Sequence, residues 1–238
     1  MADVPPLEHV MPGHCSIMER KSYSVMFSEI MKTVDITLGD TFKPTANLVV
    51  TGNSGIGKSC FLLYYAYELL RRHKVENNSW SYKLLLHCRN RYMLYCPESD
   101  KFVKLANISD IYQLIDEHEV LRLIDSQSSY LVGARGVSIL FASPDLIDKE
   151  YRYTRSNSFT YIMPVRSLDE LQDCNSLLCD ELKLSGDVLT SRYKKFGGIA
   201  RLIFTKSEDE SEEDLRRTIF IVHPSPFHLG TCLVLCNY

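Results

Sequence analysis

The chain has 238 residues, 45% hydrophobic and 24% charged, with a net charge of −3. That length and composition suit one large or two small globular domains, and the charge excludes a global basic field drawing in nucleic acid. No stretch is long and apolar enough to span a membrane, and Met1–Glu8 lacks the basic-then-apolar pattern of a secretory signal.

Residues 1–20 read as a Pro-bearing lead-in. Lys21–Val34 has helical rhythm, with Tyr23, Val25, Met26, Phe27, Ile30 and Met31 forming an apolar stripe. Lys43 and Pro44 then punctuate the entry to a short apolar strand, Asn47–Thr51.

Residues 52–59 read Gly-Asn-Ser-Gly-Ile-Gly-Lys-Ser, the complete pattern G-x-x-x-x-G-K-[ST]. Gly52, Gly55 and Gly57 allow a backbone turn that aims successive N–H groups at one point, and such nests hold anions. Cys60–Arg72 reads as a helix leaving the loop, apolar nearly all round and closed by cations in its last turn. Strand, loop and helix are the context in which this motif cradles a di- or triphosphate. The predicted phosphate-binding set is Gly52, Asn53, Ser54, Gly55, Ile56, Gly57, Lys58, Ser59 and Cys60, with the Cys60 thiol itself assigned to packing. Lys58 is expected to reach the outer phosphates, and the Ser59 hydroxyl to hold Mg²⁺. The cations Arg71, Arg72, His73 and Lys74 are a local basic cluster, expected as a solvated helix end rather than a nucleic-acid patch.

Tyr82–His87 and Arg91–Cys96 read as strands joined by a turn at Arg89-Asn90, followed by a loop at 97–100 and a short strand over Phe102–Leu105. Ser109–Glu117 reads as a helix capped by Ser109 or Asp110. Val120–Asp125 is an apolar strand ending in a carboxylate. In phosphate-binding α/β folds such an acid sits beside the phosphate loop and holds Mg²⁺, so Asp125 joins Ser59 as the predicted metal set. Arg122 within that strand must meet a polar crevice or an acid such as Glu117 or Glu119. Ser126 stands where many ATPases carry a glutamate that activates water.

Gly136–Ser143 reads as a buried strand whose polar end, Ser143-Pro144-Asp145, emerges at the same edge as Asp125. Ser143 is therefore placed to hydrogen-bond an attacking water or the γ-phosphate. Phe159–Pro164 is a further strand. Ser167 caps the next helix, running to about Leu178, with Glu170 completing a capping box. Tyr193–Phe204 begins a small helical region in which Gly197 and Gly198 permit close approach and Arg201 is aimed at the phosphates. Residues 207–214, Ser-Glu-Asp-Glu-Ser-Glu-Glu-Asp, read as a linker or solvated face, and Thr218–Tyr238 turns apolar.

The eight cysteines lack the spacing of a disulfide framework, and reduced thiols in an intracellular protein are expected. A zinc site from His223, His228, Cys232 and Cys236 fits no standard spacing. The predicted architecture is α/β: a P-loop NTPase with a mostly parallel sheet covered by helices on both faces and a small helical C-terminal region. Its expected divisions are 1–20, a core over 21–165, a lid-like region over 166–204 and a tail over 205–238.

In order along the chain come the phosphate loop, Leu123-Ile124-Asp125, Phe141-Ala142-Ser143-Pro144, Ile162-Met163-Pro164-Val165 before Ser167–Leu171, and Arg192–Arg201. This series resembles the P-loop NTPase domain of Crinkler-type effector proteins, which are related to retrotransposon hot spot proteins. The resemblance covers roughly residues 20–204. It implies ATP or GTP binding by Gly52–Ser59, metal coordination by Ser59 and Asp125, and a sensor role for Ser143. Arg201 resembles the arginine after the family's Gly-Gly-x-Pro, with Ala200 here in place of the proline. Secretion into a host cell and nucleus is implied for family members.

The reading expected from residues and resemblance together is Mg²⁺-dependent hydrolysis of a nucleoside triphosphate, ATP in preference to GTP, serving as a nucleotide switch. A binding module with little hydrolysis is the alternative, favoured by Ser126. A small-molecule kinase using Arg152 and Arg155 is a third class. Protein partners or self-association are open; no membrane is expected, and nucleic acid only indirectly.

Overall fold

The computed structural model describes residues 17–40, 42, 45–75, 82–88, 91–96, 99–125, 131–144, 146, 158–204 and 207–221. Expectations placed on the lead-in before residue 17, Lys43 and Pro44, the Arg89-Asn90 turn, Ser126, Asp145, Arg152, Arg155 and the four zinc candidates lie outside the described residues. The chain forms two compact units. Among the described residues, one takes in those up to Thr51 and those from Lys58 to Ile162; the other joins Gly52–Gly57 to those from Met163 to Ile221.

The first unit holds a seven-stranded sheet. Its strands are β1 (Ala46–Thr51), β2 (Lys83–Cys88), β3 (Arg91–Cys96), β4 (Lys101–Lys104), β5 (Val120–Asp125), β6 (Val137–Phe141) and β7 (Ser158–Ile162). They lie in the order β4-β3-β2-β5-β6-β1-β7. The run from β2 to β7 is parallel, and β3 and β4 add antiparallel at the edge. β1 and β6 are buried along their whole length and β5 up to Asp125, as strands covered on both faces must be.

Neighbouring residues of β6 show the two covers. Phe141 turns to α1 (Lys21–Gly39) and α2 (Lys58–Val75), meeting Phe61 with ring centroids 5.9 Å apart and Tyr65 at 6.5 Å. Tyr23 and Phe27 of α1 pack on the same α2 rings, at 5.0 Å from Phe61 and 4.7 Å from Tyr65 respectively. Leu140 points the other way, as strand alternation requires. It joins Leu85, Ile124 and Leu114 of α3 (Ile108–Asp116). The predicted mostly parallel sheet with helices on both faces is therefore present.

Arg122 meets a polar crevice, the first of its two expected settings. It is fully buried, and its guanidinium donates to main-chain carbonyls rather than to an acidic side chain. It reaches Leu114, Ile115 and Glu117 at the C-terminal end of α3, and Arg135 before β6. These include carbonyls that a helix end leaves without partners. Burial lowers its pKa to about 10, with Glu117 opposing, so it stays cationic at neutral pH. The cap of α3 is also corrected: Asn107 occupies the N-cap and no side chain, Ser109 or Asp110 included, caps it.

The basic cluster at the end of α2 is engaged by its own fold. Arg71 grips Glu68 at 2.7 Å, Arg72 lies 4.5 Å over the Phe27 ring, and Lys74 pairs with Asp100 at 2.6 Å. No disulfide joins the described cysteines.

The second unit is helical. α4 (Leu168–Ser176) opens on the predicted capping box of Ser167 and Glu170. α5 (Gly186–Phe196) starts earlier than the sequence suggested, capped by Ser185, so Tyr193–Phe196 is its end and not the start of a new element. Gly197 then closes α5 with φ 64° and ψ −155°, a conformation essentially restricted to glycine. α6 (Ala200–Phe204) follows, and Leu171, Leu189 and Ile203 make the core. Residues 207–214 are not a linker. They open α7 (Glu208–Ile221), whose acids complement the positive helix end and bind Lys195 through Glu208 and Glu212. Seven helices are described in all.

Candidate functional site

The loop after β1 needs left-handed backbone at each of its glycines. Gly52, Gly55 and Gly57 have φ 146°, 83° and 108°. The loop then runs into α2, which begins at Lys58 and has no acidic residue in its first turn. No acidic side chain of the helix's own first turn stands at its positive end. Its last turn carries Arg72, His73 and Lys74, which complement the opposite pole.

In the first unit, Ser59 and Asp125 come together. The Ser59 Oγ donates to Asp125 Oδ1 at 3.0 Å. The parallel sheet is the cause: Asp125 is the last residue of β5, and it lies at the edge where β1 delivers the chain to the loop. The Cys88 thiol donates to the other carboxylate oxygen at 3.5 Å, from the end of the adjacent β2. Sequence reasoning missed Cys88; its signal was its position as the last apolar residue of a strand paired with Val120–Asp125. Next to it, His87 is buried with no acceptor or donor at Nδ1 among the described residues. Burial lowers its pKa, and Asp125 opposes the shift.

Ser143 lies two residues beyond the end of β6, half-buried, with its carbonyl accepting the Leu146 N–H at 3.1 Å. It shares the sheet edge with Asp125, whose register partner is Phe141. Lys58, Ser59 and Cys60 form the first turn of α2 and are half-buried.

In the second unit, the loop residues Gly52–Gly57 meet the helical segment. Arg201 stands on Gly55: its N–H donates to the Gly55 carbonyl at 3.4 Å, and its guanidinium reaches Ser54 Oγ at 3.3 Å. A Cβ on Gly55 would lie 2.5 Å from the Arg201 Cβ, so only glycine fits. Arg201 thus joins the loop despite Ala200. Asn53 is exposed at the loop's tip, and the Ile56 side chain is buried. Arg166, which sequence reasoning passed over, is buried and donates from Nη1 to the Ile56 carbonyl at 2.9 Å. Its signal was a cation between the strand-ending Pro164 and the capping Ser167. The two compact units part after Ile162, and Gly52–Gly57 groups with the helical one.

Among the described residues no group of three or more His, Cys, Asp or Glu could hold a metal ion, and no helix is long and apolar enough to cross a membrane. No protein-family model matches the chain, and no curated protein matches it. Among solved structures, the chain is similar to the crystal structure of Saccharomyces cerevisiae RIF2. The identity is 8%, covering 73% of this chain and 74% of that one, with a TM-score of 0.32. A likeness that loose carries no argument about fold or function.

Proposed function

We propose that this chain is a P-loop NTPase that binds a nucleoside triphosphate with Mg²⁺ and hydrolyses it, ATP in preference to GTP. The observation that carries the reading is the 3.0 Å contact between Ser59 and Asp125 at the start of the helix that leaves the glycine loop. A chance glycine turn has no reason to set its serine against a carboxylate from a strand far along the chain.

The main-chain N–H groups of Gly52–Ser59 and the positive end of α2 bind the phosphates in this reading, and Lys58 adds an ammonium charge. Ser59 and Asp125 supply hard oxygen donors of the kind Mg²⁺ takes, with phosphate oxygens and water completing its shell. The bound Mg²⁺ would neutralise charge developing on the transferring phosphoryl group. Arg201, held at Ser54 and Gly55, is the second cation of the loop, and Ser143 orients water or the terminal phosphate from the sheet edge.

Crinkler-type kinship and a switch role are part of the same proposal and rest on the order of motifs in the sequence. The alternative, a nucleotide-binding module with little hydrolysis, is favoured by Ser126 in place of a water-activating glutamate. Titration calorimetry with ATP and GTP, with and without Mg²⁺, followed by a single-turnover phosphate-release assay, tests both. Mg²⁺-dependent binding that Lys58→Ala abolishes supports the site. Binding without release selects the module, and wild-type affinity in Lys58→Ala refutes the site.

A further inference from the structure

We infer that Arg166 is a positioning residue for the phosphate loop: it fixes the direction in which the loop's amides point, and so couples the helical segment after Met163 to occupancy of the loop. The inference rests on the phosphate-loop reading above. In a trans peptide the C=O and the following N–H point in opposite directions. The Arg166 guanidinium draws the Ile56 carbonyl to itself at 2.9 Å, so the Gly57 N–H must point away from Arg166. The Arg201 N–H does the same to the preceding peptide through the Gly55 carbonyl, which turns the Ile56 N–H outward. Two successive amide donors are thereby set by the helical segment, and a run of such donors is what an anion nest consists of.

Arg166 is itself locked. Its N–H donates to the Gly198 carbonyl at 3.0 Å. A Cβ on Gly198 would lie 1.9 Å from the Arg166 carbonyl oxygen and 2.5 Å from its nitrogen, so the second glycine of the Gly197-Gly198 pair exists for this approach. Arg166 as a residue is 8% exposed, and its buried Nε meets no acceptor among the described residues. A charged group is not buried this way cheaply. Adjacent positive charge and preset amides both favour an anion on the loop, and linkage makes the effect reciprocal: an anion on the loop must stiffen the segment that holds Arg166.

The test pairs Arg166→Gln and Arg166→Lys with Lys58→Ala, using Mg·ATP titration and far-UV circular dichroism. Arg166→Gln should weaken binding roughly tenfold or more, the scale of one charge-assisted contact, while Arg166→Lys recovers part of it. Wild-type affinity in Arg166→Gln alongside lost binding in Lys58→Ala overturns this inference and leaves the site standing. Wild-type affinity in both refutes the site itself. Hydrogen exchange on the unaltered protein covers the case in which Arg166→Gln does not fold. Mg·ATP should slow exchange at Gly57 and across 166–203 together. Slowing confined to the loop and α2 overturns the coupling.

Discussion

The contact between Ser59 and Asp125 can be weighed without any nucleotide, by a double-mutant cycle of Ser59→Ala and Asp125→Ala. The bond is 3.0 Å long and its acceptor is a carboxylate. Hydrogen bonds to charged groups contribute about 1.5–3 kcal/mol. Both residues are half-buried, so solvent screens the pair and the lower end applies. The expected coupling is about 1 kcal/mol. Urea unfolding in EDTA, with coincident circular dichroism and fluorescence transitions, gives the free energies by linear extrapolation. The two single losses should exceed the loss in the double variant by that amount. Additivity within about 0.3–0.5 kcal/mol is what independent sites show, and finding it would refute the contact. The same variants carry a functional arm. Wild-type protein should bind nucleotide more tightly with Mg²⁺ than in EDTA, and Ser59→Ala should lose most of that difference. A full Mg²⁺ dependence in Ser59→Ala would detach the hydroxyl from the metal.

Gly198→Ala should cost more than 3 kcal/mol, since its Cβ meets backbone that cannot give way, and differential scanning calorimetry reads the loss. Gly55→Ala combines φ 83° with a 2.5 Å clash on Arg201 and should both lower the melting temperature and weaken nucleotide binding. Arg122→Met strands the carbonyls at the end of α3 and should cost about 3–5 kcal/mol in urea unfolding; a loss below 1 kcal/mol would contradict the buried-cap reading. His87 titrates below its ordinary 6.5 because burial disfavours the imidazolium. The unfolded chain therefore binds the proton more readily. Stability should be full above pH 6.5 and fall as pH drops from there towards the lowered folded value. His87→Gln should flatten that slope in melts between pH 5 and 7.

The sheet was legible because its strands are apolar runs closed by polar ends, and the glycine loop because its chemistry needs fixed residue types. Asp125 could be paired with Ser59 in advance for the same reason: a parallel strand ending in a carboxylate has one edge to which it can deliver it. Arg166 was hidden because nothing in a lone cation before a capping box says which carbonyl it will reach. Only the close approach of Gly198 decides that. Of the two settings open to Arg122, a polar crevice or an acid, the crevice is the one present; sequence shows acids as candidate partners and does not show which helix-end carbonyls line the crevice. The acidic run at 207–214 was legible as a solvated face but not as a helix. Glu208, Asp209, Glu210 and Glu213 are exposed, while Ser207 and Glu210 bond to each other and Ser211 reaches the Leu202 carbonyl at 2.9 Å, local contacts that turn the run into a helix start.

The bond from Ser59 to Asp125 also bears on how a cation could be received. A hydroxyl has one proton and two lone pairs. With the proton committed to Asp125 Oδ1, both lone pairs of Ser59 face away from the carboxylate and are available to a hard cation. The Cys88 thiol occupies Oδ2 in the same manner, so each carboxylate oxygen already accepts one donor and retains one lone pair. Each Asp125 oxygen therefore keeps one lone pair for a cation or for water around it, with both hydrogen bonds retained. Cys88→Ala would free Oδ2. If the thiol holds the carboxylate in this orientation, the variant should shift Mg²⁺ affinity in the nucleotide-bound protein while leaving Mg²⁺-free nucleotide binding as it was. Equal changes in both would mean that Cys88 serves only the packing of β2 against β5.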